Sequence, residues 1–224
     1  MKYLRILLAV FLVCNINTYA AAETAGDRGG DLEFFEKNFF EDKNWTEYSG
    51  FAKIELYNYD QGMPVHFTDG YYQTLNSYPS GTEFRYRLYI KNPVYVYAFA
   101  GDSGNRETTR IFPPEGQNFS PIFYYNKNGI PFPGEFTWIR LDEFPGTDYL
   151  VTLFAVETLD IDQIRRRFEK ANGSFAEKVA AAVGANFIPV EKAQYEPDEM
   201  RFYFRFANAK NIFGLLLAIK HHES

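Results

Sequence analysis

The chain has 224 residues, a formal charge of −6, 19% aromatic residues and a single cysteine, Cys14. An acidic chain repels nucleic acid and anionic lipid, so neither is expected as a general partner. A domain of about 200 residues buries roughly 70% of its unfolded surface, so this chain needs no disulfide or metal ion in order to fold.

Residues 1–22 have the pattern of a bacterial secretory signal peptide. Lys2 and Arg5 form a positive start, residues 6–13 are apolar, and residues 20–22 are small, as a signal peptidase requires. The apolar run is far shorter than the ~20 residues that span a bilayer. We therefore predict export to the periplasm or beyond the cell, with no transmembrane span in the mature chain. Loss of Lys2 and Arg5 would take the charge from −6 to −8.

The single cysteine leaves one alternative for the fate of this segment. The residues before Cys14 resemble a lipobox, so attachment of a lipid anchor through Cys14 is a minor alternative. Cleavage after residue 22 would leave a mature chain with no cysteine, and therefore with no disulfide and no thiolate ligand.

Residues 23–48 are predicted to precede the folded domain. Residues 23–31 are small and polar, which is typical of a disordered start. Aromatic residues at positions 34, 35, 39 and 40 predict a short amphipathic helix over residues 32–48. We find no linker and no fixed-period repeat after this point, so we predict a single β-rich domain over residues 49–224.

Most of that domain has the pattern of β-strands. Residues 81–92 alternate, with Phe84 and Tyr86 on one face and Arg85 and Arg87 on a solvated one. Residues 94–100 are apolar at every position, which indicates a central strand covered on both faces. Further strands are predicted over residues 51–59, 107–113, 135–141 and 148–158.

Two helices are predicted between these strands and the end of the chain. Asp160 is the expected N-cap of a helix that starts at residue 161. A second helix starts at the Ser174–Glu177 capping box and ends at Gly184. Only five residues separate the strand patterns over 200–206 and 212–220, so we predict an antiparallel C-terminal hairpin.

These elements predict a mainly β (α+β) fold. The expected architecture is an antiparallel β-sandwich or a partly open barrel, with a short N-terminal helix and two helices before the C-terminal hairpin.

Ser103 stands in a Gly-Asp-Ser-Gly sequence, which is how chymotrypsin-like proteases present their nucleophile. That chemistry requires a histidine base, and the histidine before Ser103 is His66, only 37 residues away. This spacing leaves no room for the first of the two barrels that such proteases need. Gly, Asp, Ser and Asn are also common in hairpin loops, so we interpret residues 101–105 as a turn and predict no catalytic residue.

Other site motifs are equally weak. Neither of the glycine-rich phosphate-binding motifs occurs, so no cofactor is predicted. Adjacent residues on a strand point to opposite faces, so we interpret His221 and His222 as a frayed polar tail and predict no metal site. If contact residues for a partner or ligand have to be chosen, the aromatic residues Tyr124, Tyr125 and Trp138 are the candidates.

One stretch carries a family resemblance. The sequence from residue 95 to 113 resembles the pattern of a bacterial domain-of-unknown-function family, the one numbered 4384. The matching residues are Tyr95, Tyr97, Phe99, Asp102, Gly104, Phe112 and Pro113. The resemblance extends over about residues 81–165. Domains of that family commonly follow a caspase-like peptidase or protein-kinase domain, so the resemblance implies a non-catalytic accessory module, here in a stand-alone exported version.

Three functional hypotheses follow from the sequence. The first is an exported, non-enzymatic β-rich accessory or interaction domain whose partner is a protein of the cell envelope. The second is a carbohydrate-binding module that stacks exposed aromatic rings on an envelope glycan, and it requires a row or cleft of such rings. The third is an unrecognised hydrolase, which requires His66 or a pair of carboxylates in a concave, partly desolvated pocket.

Overall fold

The structure is a computed structural model, and it describes residues 48–57, 62–103, 107–117, 120–123 and 129–223. All of these residues fall within one compact unit. The predicted signal peptide, the disordered start and residues 32–47 of the predicted helix lie outside the described residues. Tyr48, the last residue of that predicted helix, instead opens the first strand.

Fourteen strands and two α-helices make up the described part of the chain. The strands are β1 (Tyr48–Leu56), β2 (Val65–Thr68), β3 (Tyr71–Thr74), β4 (Tyr78–Pro79), β5 (Glu83–Ile90), β6 (Val94–Asp102), β7 (Thr108–Phe112), β8 (Ile122–Phe123), β9 (Ile130–Phe132), β10 (Ile139–Arg140), β11 (Gly146–Ala155), β12 (Ala193–Tyr195), β13 (Arg201–Phe204) and β14 (Ile212–His222). The helices are α1 (Ile161–Lys170) and α2 (Phe175–Val183), and a short 3₁₀ helix spans Val190–Lys192.

The strands form two sheets. The first sheet has six antiparallel strands in the order β10-β5-β1-β13-β12, with β9 also pairing with β5. The second has eight strands in the order β2-β3-β14-β11-β6-β7, with β4 beside β14 and β8 beside β6. This second sheet is mixed, because β14 runs parallel to both β3 and β4. The arrangement agrees with the predicted β-sandwich and is not a closed barrel.

Alternation of side chains along the central strands places the core in two layers. On β6, Val94, Val96 and Ala98 face the first sheet, whereas Tyr97 and Phe99 face the helices. The same division runs through β11 and β14, so both faces of the second sheet are buried. The prediction that residues 94–100 form a central strand covered on both faces is therefore confirmed.

Both helices begin where the sequence predicts, and α2 also ends where predicted. The Asp160 carboxylate accepts a hydrogen bond from the Gln163 backbone amide at the start of α1. Ser174 and Glu177 form the reciprocal capping box of α2, and Gly184 ends that helix with a φ of +82°. Among the described residues, neither helix has the length and apolar character needed to cross a membrane.

Two strand predictions are wrong. The expected C-terminal hairpin does not form, since β13 pairs with β1 and β12 in the first sheet while β14 pairs with β11 and β3 in the second. The segment between them therefore crosses from one sheet to the other. The strand predicted over residues 135–141 shrinks to β10, because residues 134–137 form a turn closed by a bridge between Gly134 and Thr137.

Candidate functional site

Trp138 is the one predicted contact residue that lies among the described residues. It precedes β10 and is half-buried. The Arg85 guanidinium lies over the Trp138 ring, 4.7 Å from the ring centroid, and the Tyr57 ring meets Trp138 edge-on at 5.0 Å between centroids. Phe136, in the preceding turn, is 96% exposed. We call these four residues, Tyr57, Arg85, Phe136 and Trp138, the Trp138 patch.

A carboxylate on the neighbouring strand holds the arginine of this patch in place. Glu55 on β1 accepts hydrogen bonds from Nε of both Arg85 and Arg87 on β5, the latter at 2.8 Å. Arg85 also donates to the Glu135 carbonyl oxygen at 2.7 Å, which ties the exposed turn to the sheet. The sequence predicted a solvated face for Arg85 and Arg87, but both side chains are largely covered because this ion-pair network packs over them.

The network makes a prediction about acid stability. Burial acts to raise the pKa of Glu55, but the hydrogen bonds from Arg87 and Arg85 outweigh it and lower this pKa below 4.5. A carboxylate whose pKa is lower in the folded state than in the unfolded state stabilises the fold at pH values above its unfolded-state pKa. That stabilisation is lost as the pH falls through the pKa of the folded state. Glu55→Gln should therefore destabilise the domain at neutral pH, by about 1 kcal/mol or less for a partly exposed pair.

Urea unfolding of both proteins across the acid range measures this effect. The difference in unfolding free energy between wild type and Glu55→Gln should shrink steadily below pH 4.5. Glu135→Gln is the matched control, because its carboxylate lies 3.7–3.8 Å from the same arginines and is more exposed. The difference in unfolding free energy between wild type and Glu135→Gln should depend less on pH. An equal or larger pH dependence for Glu135→Gln would contradict the assignment of the effect to Glu55.

The remaining residues singled out by the sequence have different outcomes. Tyr124 and Tyr125 lie outside the described residues. Ser103 directly follows β6, which pairs antiparallel with β7, as expected for a hairpin loop. Its Oγ accepts a hydrogen bond from the Thr147 backbone amide at 3.2 Å, and no described imidazole bonds to it. His66 is exposed and contacts Asp198 at 2.8 Å, and it does not line the cleft beside Asp142 and Asp148.

A second group of polar side chains was not predicted from the sequence. We call it the His221 cluster and define it as Ser80, Asp142, Asp148 and His221. The interpretation of His221 as part of a frayed tail is wrong, because β14 continues through His222 and the His221 side chain is only 1% exposed. Pairing of β14 with β11 brings His221 opposite Gly146, close to Asp148. Parallel pairing with β4 brings it beside Tyr78, and so near Ser80.

The geometry of this cluster is compact. His221 Nε2 lies 3.6 Å from Asp148 Oδ1 and 3.8 Å from Asp142 Oδ1. The other ring nitrogen, Nδ1, lies 3.1 Å from Ser80 Oγ. Asp142 Oδ1 also accepts a hydrogen bond from the Phe144 backbone amide at 2.8 Å. One atom from each of Asp142, Asp148 and His221 can be chosen so that all three lie within 4.8 Å of one another.

Burial and like charges shape the electrostatics of the cluster. Burial, together with the nearby carboxylates of Asp142 and Asp102, raises the pKa of Asp148 to about 7. The three aspartates line a small cleft of about 60 Å³. Pockets for small organic ligands begin at about 300 Å³, so this cleft has room for an ion and a few waters rather than for a sugar ring.

A local signal for part of this cluster was present in the sequence. The apolar run of β14 leads into Lys220, His221 and His222, whose burial alternates out, in and out. Extending the predicted strand by one residue beyond Lys220 would have placed the His221 side chain inward. Nothing local places Asp142 beside it, because that residue follows β10 in the other sheet.

Comparison of the chain with known proteins found no relative. No family model, no curated protein and no solved structure matches it.

Proposed function

We propose that the chain is an exported, non-enzymatic, β-rich interaction domain that binds a protein of the cell envelope through the Trp138 patch. The observation that carries this proposal is the exposure of Phe136, 96% of whose surface is open to solvent beside a clustered tryptophan, tyrosine and arginine. Exposed apolar patches rimmed by polar groups are typical of binding surfaces. Residues 1–22, with their signal-peptide pattern, support the export part of the proposal.

The composition of the patch favours a protein partner. Tryptophan, tyrosine and arginine are the residues most enriched among those that dominate binding energy at protein interfaces. Here Trp138 is held between Arg85 and Tyr57, and Arg85 is itself fixed by Glu55 and the Glu135 carbonyl. Side chains that are already ordered lose less conformational entropy on binding, so a preorganised patch binds more tightly.

The carbohydrate-binding alternative is less well supported by this geometry. A sugar stacks on an open face of an aromatic ring, whereas the Arg85 guanidinium already covers one face of Trp138. Phe136 offers an open ring, but it has no polar hydrogen-bonding edge of its own to orient a sugar. The glycan hypothesis remains the second proposal, and it would draw on Phe136 and the outer face of Trp138.

Among the described residues, the hydrolase alternative would draw on the His221 cluster, which contains the paired carboxylates that such chemistry needs. The cleft beside it is too small for a sugar or a peptide side chain of ordinary size. The family resemblance over residues 81–165 also implies an accessory role. We therefore propose no reaction for this chain.

The test compares partner capture by matched surface variants. Wild type, Phe136→Ser and Leu75→Ser are immobilised and exposed to envelope fractions, and each captured protein is then purified and titrated. Leu75 is the control, because it is also an exposed apolar side chain, 63% open, but follows β3 in the other sheet. We expect Phe136→Ser to weaken binding of the purified partner by about tenfold or more, as for an interface anchor, and Leu75→Ser to leave it unchanged.

Two results would overturn this proposal. Equal binding of the purified partner by wild type and Phe136→Ser would remove the patch from the interface. Binding of a defined glycan in a parallel array, lost in Phe136→Ser or Trp138→Ala, would favour the carbohydrate-binding module. Both serine variants should keep the wild-type free energy of unfolding to within about 0.5 kcal/mol, since the substituted side chains are exposed.

A further inference from the structure

The His221 cluster contains a buried imidazole nitrogen aimed at two carboxylates. The His221 side chain is 1% exposed, and its Nε2 lies 3.6 Å from Asp148 Oδ1 and 3.8 Å from Asp142 Oδ1. Both distances are longer than a hydrogen bond. One ring nitrogen of His221 and one oxygen from each aspartate lie within 4.8 Å of one another, and three ligand atoms at this spacing could hold a metal ion.

The other contacts of these side chains hold them in position. Ser80 Oγ lies 3.1 Å from His221 Nδ1, and the Ser80 backbone amide donates to the His222 carbonyl at 2.7 Å. The Phe144 amide donates to Asp142 Oδ1 at 2.8 Å. Histidines that bind metals almost always donate their second ring N–H to an oxygen in this way, which fixes the tautomer and leaves the first nitrogen free to coordinate.

The spacing of these three groups is compatible with a bound metal ion. The imidazole nitrogen lies 3.6 and 3.8 Å from the two carboxylate oxygens. Ligands at 2.0–2.1 Å around a tetrahedral zinc ion lie roughly 3.3 Å from one another, so a contraction of a few tenths of an ångström would complete such a site.

The donor set indicates which ions are suitable. Calcium and magnesium are bound by oxygen ligands, and an imidazole nitrogen is not part of their usual shell. One imidazole with two carboxylates suits borderline ions of the first transition row, zinc above all. Asp142 and Asp148 also line the cleft of about 60 Å³, which has the volume for a water molecule.

We propose that Asp142, Asp148 and His221 form a binding site for a divalent transition-metal ion, and that Zn²⁺ is the ion that fits it best. Ser80 acts as a positioning residue for His221. The ion joins the C-terminal end of β14 to the chain on either side of the Pro145–Gly146 turn. It also neutralises part of the repulsion between Asp148, Asp142 and Asp102, which the fold holds close together. This proposal is independent of the Trp138 patch and of any protein partner.

The experiment titrates Zn²⁺ into the untagged, metal-stripped chain at slightly alkaline pH, by calorimetry and by thermal unfolding. We expect one saturable site in the wild type, with an unfolding midpoint that rises as Zn²⁺ is added. His221→Gln and Asp148→Asn each remove a ligand and should weaken binding by about 100-fold or more, while Ser80→Ala should weaken it about 10–100-fold. Asp148→Asn keeps the side-chain shape, so it remains informative where His221→Gln fails to fold.

His222→Gln is the matched control, because it removes the neighbouring imidazole, which is exposed on the opposite face of β14. It should bind Zn²⁺ as the wild type does. No saturable Zn²⁺ binding by the wild type would overturn the proposal, as would loss of binding in His222→Gln equal to that in His221→Gln. Tighter binding of Ca²⁺ than of Zn²⁺ would also overturn it, because the imidazole would then not be a ligand.

Discussion

Phe213→Ala should destabilise the domain by about 3–5 kcal/mol, the usual cost of truncating a fully buried phenylalanine. Phe213 lies on β14 in the second sheet and has no exposed surface. Its ring stacks on Phe204 of β13, in the first sheet, at 4.0 Å between centroids and an interplanar angle of 5°. It also contacts Phe154 and Phe202, so one ring joins both sheets. Removing it leaves a cavity that rigid strands on both sides cannot close.

Urea unfolding of Phe213→Ala beside the wild type measures this loss. Phe136→Ala is the matched control, because it truncates the same side chain at an exposed position and should change the unfolding free energy by about 0.5 kcal/mol at most. Phe213→Leu fills much of the space and should cost far less than the alanine variant. A loss below about 1 kcal/mol in Phe213→Ala would mean that the two sheets do not meet at this ring.

Gly50→Ala should also destabilise the domain by several kcal/mol, because it adds volume to a packed region instead of removing it. Gly50 lies on β1, opposite Phe202 of β13 on one side and Ile90 of β5 on the other. A Cβ atom at this position would lie 2.6 Å from Phe202 Cζ and 2.6 Å from the Tyr89 backbone oxygen. The phenylalanine ring is fully buried and the oxygen belongs to a paired strand, so neither can move without disturbing its neighbours. We expect a loss of about 3 kcal/mol, near the upper end for added volume in a packed core.

Gly101→Ala is the control for this substitution. Gly101 is also a strand glycine, on β6, but the nearest atom to its Cβ position is Thr108 Cγ2 at 3.4 Å, an ordinary contact. Thermal unfolding of the two variants should therefore separate them clearly, with Gly50→Ala lower. Equal unfolding midpoints would indicate that β1 does not pack between β5 and β13 as described.

The short segment around β10 contributes residues to both candidate sites. Trp138 precedes β10 and contributes to the Trp138 patch, whereas Asp142 follows β10 and contributes to the His221 cluster. The two sites nevertheless make separable predictions. Phe136→Ser tests the patch without altering any residue of the cluster, and Asp148→Asn tests the cluster without altering the patch.

Local sequence alone was sufficient for the elements whose limits depend on nearby residues. The alternation of Phe84 and Tyr86 with two arginines predicted β5, and both aromatic side chains are buried. Asp160 and the Ser174–Glu177 pair predicted the first turns of α1 and α2, because a capping side chain bonds to an amide only a few residues away. The completely apolar run of β6 predicted a strand covered on both faces.

Tertiary structure decided which strands pair and which side chains meet. The short spacing between β13 and β14 predicted a hairpin, but β13 pairs with β1 and β12 whereas β14 pairs with β11 and β3, so the chain crosses between the sheets. Arg85 and Arg87 have the pattern of a solvated face, yet Glu55 on β1 covers them. The His221 cluster depends on residues up to 141 positions apart in the chain. Strand periodicity and caps act over a few residues, whereas pairing and charge clustering depend on contacts that no short stretch of sequence specifies.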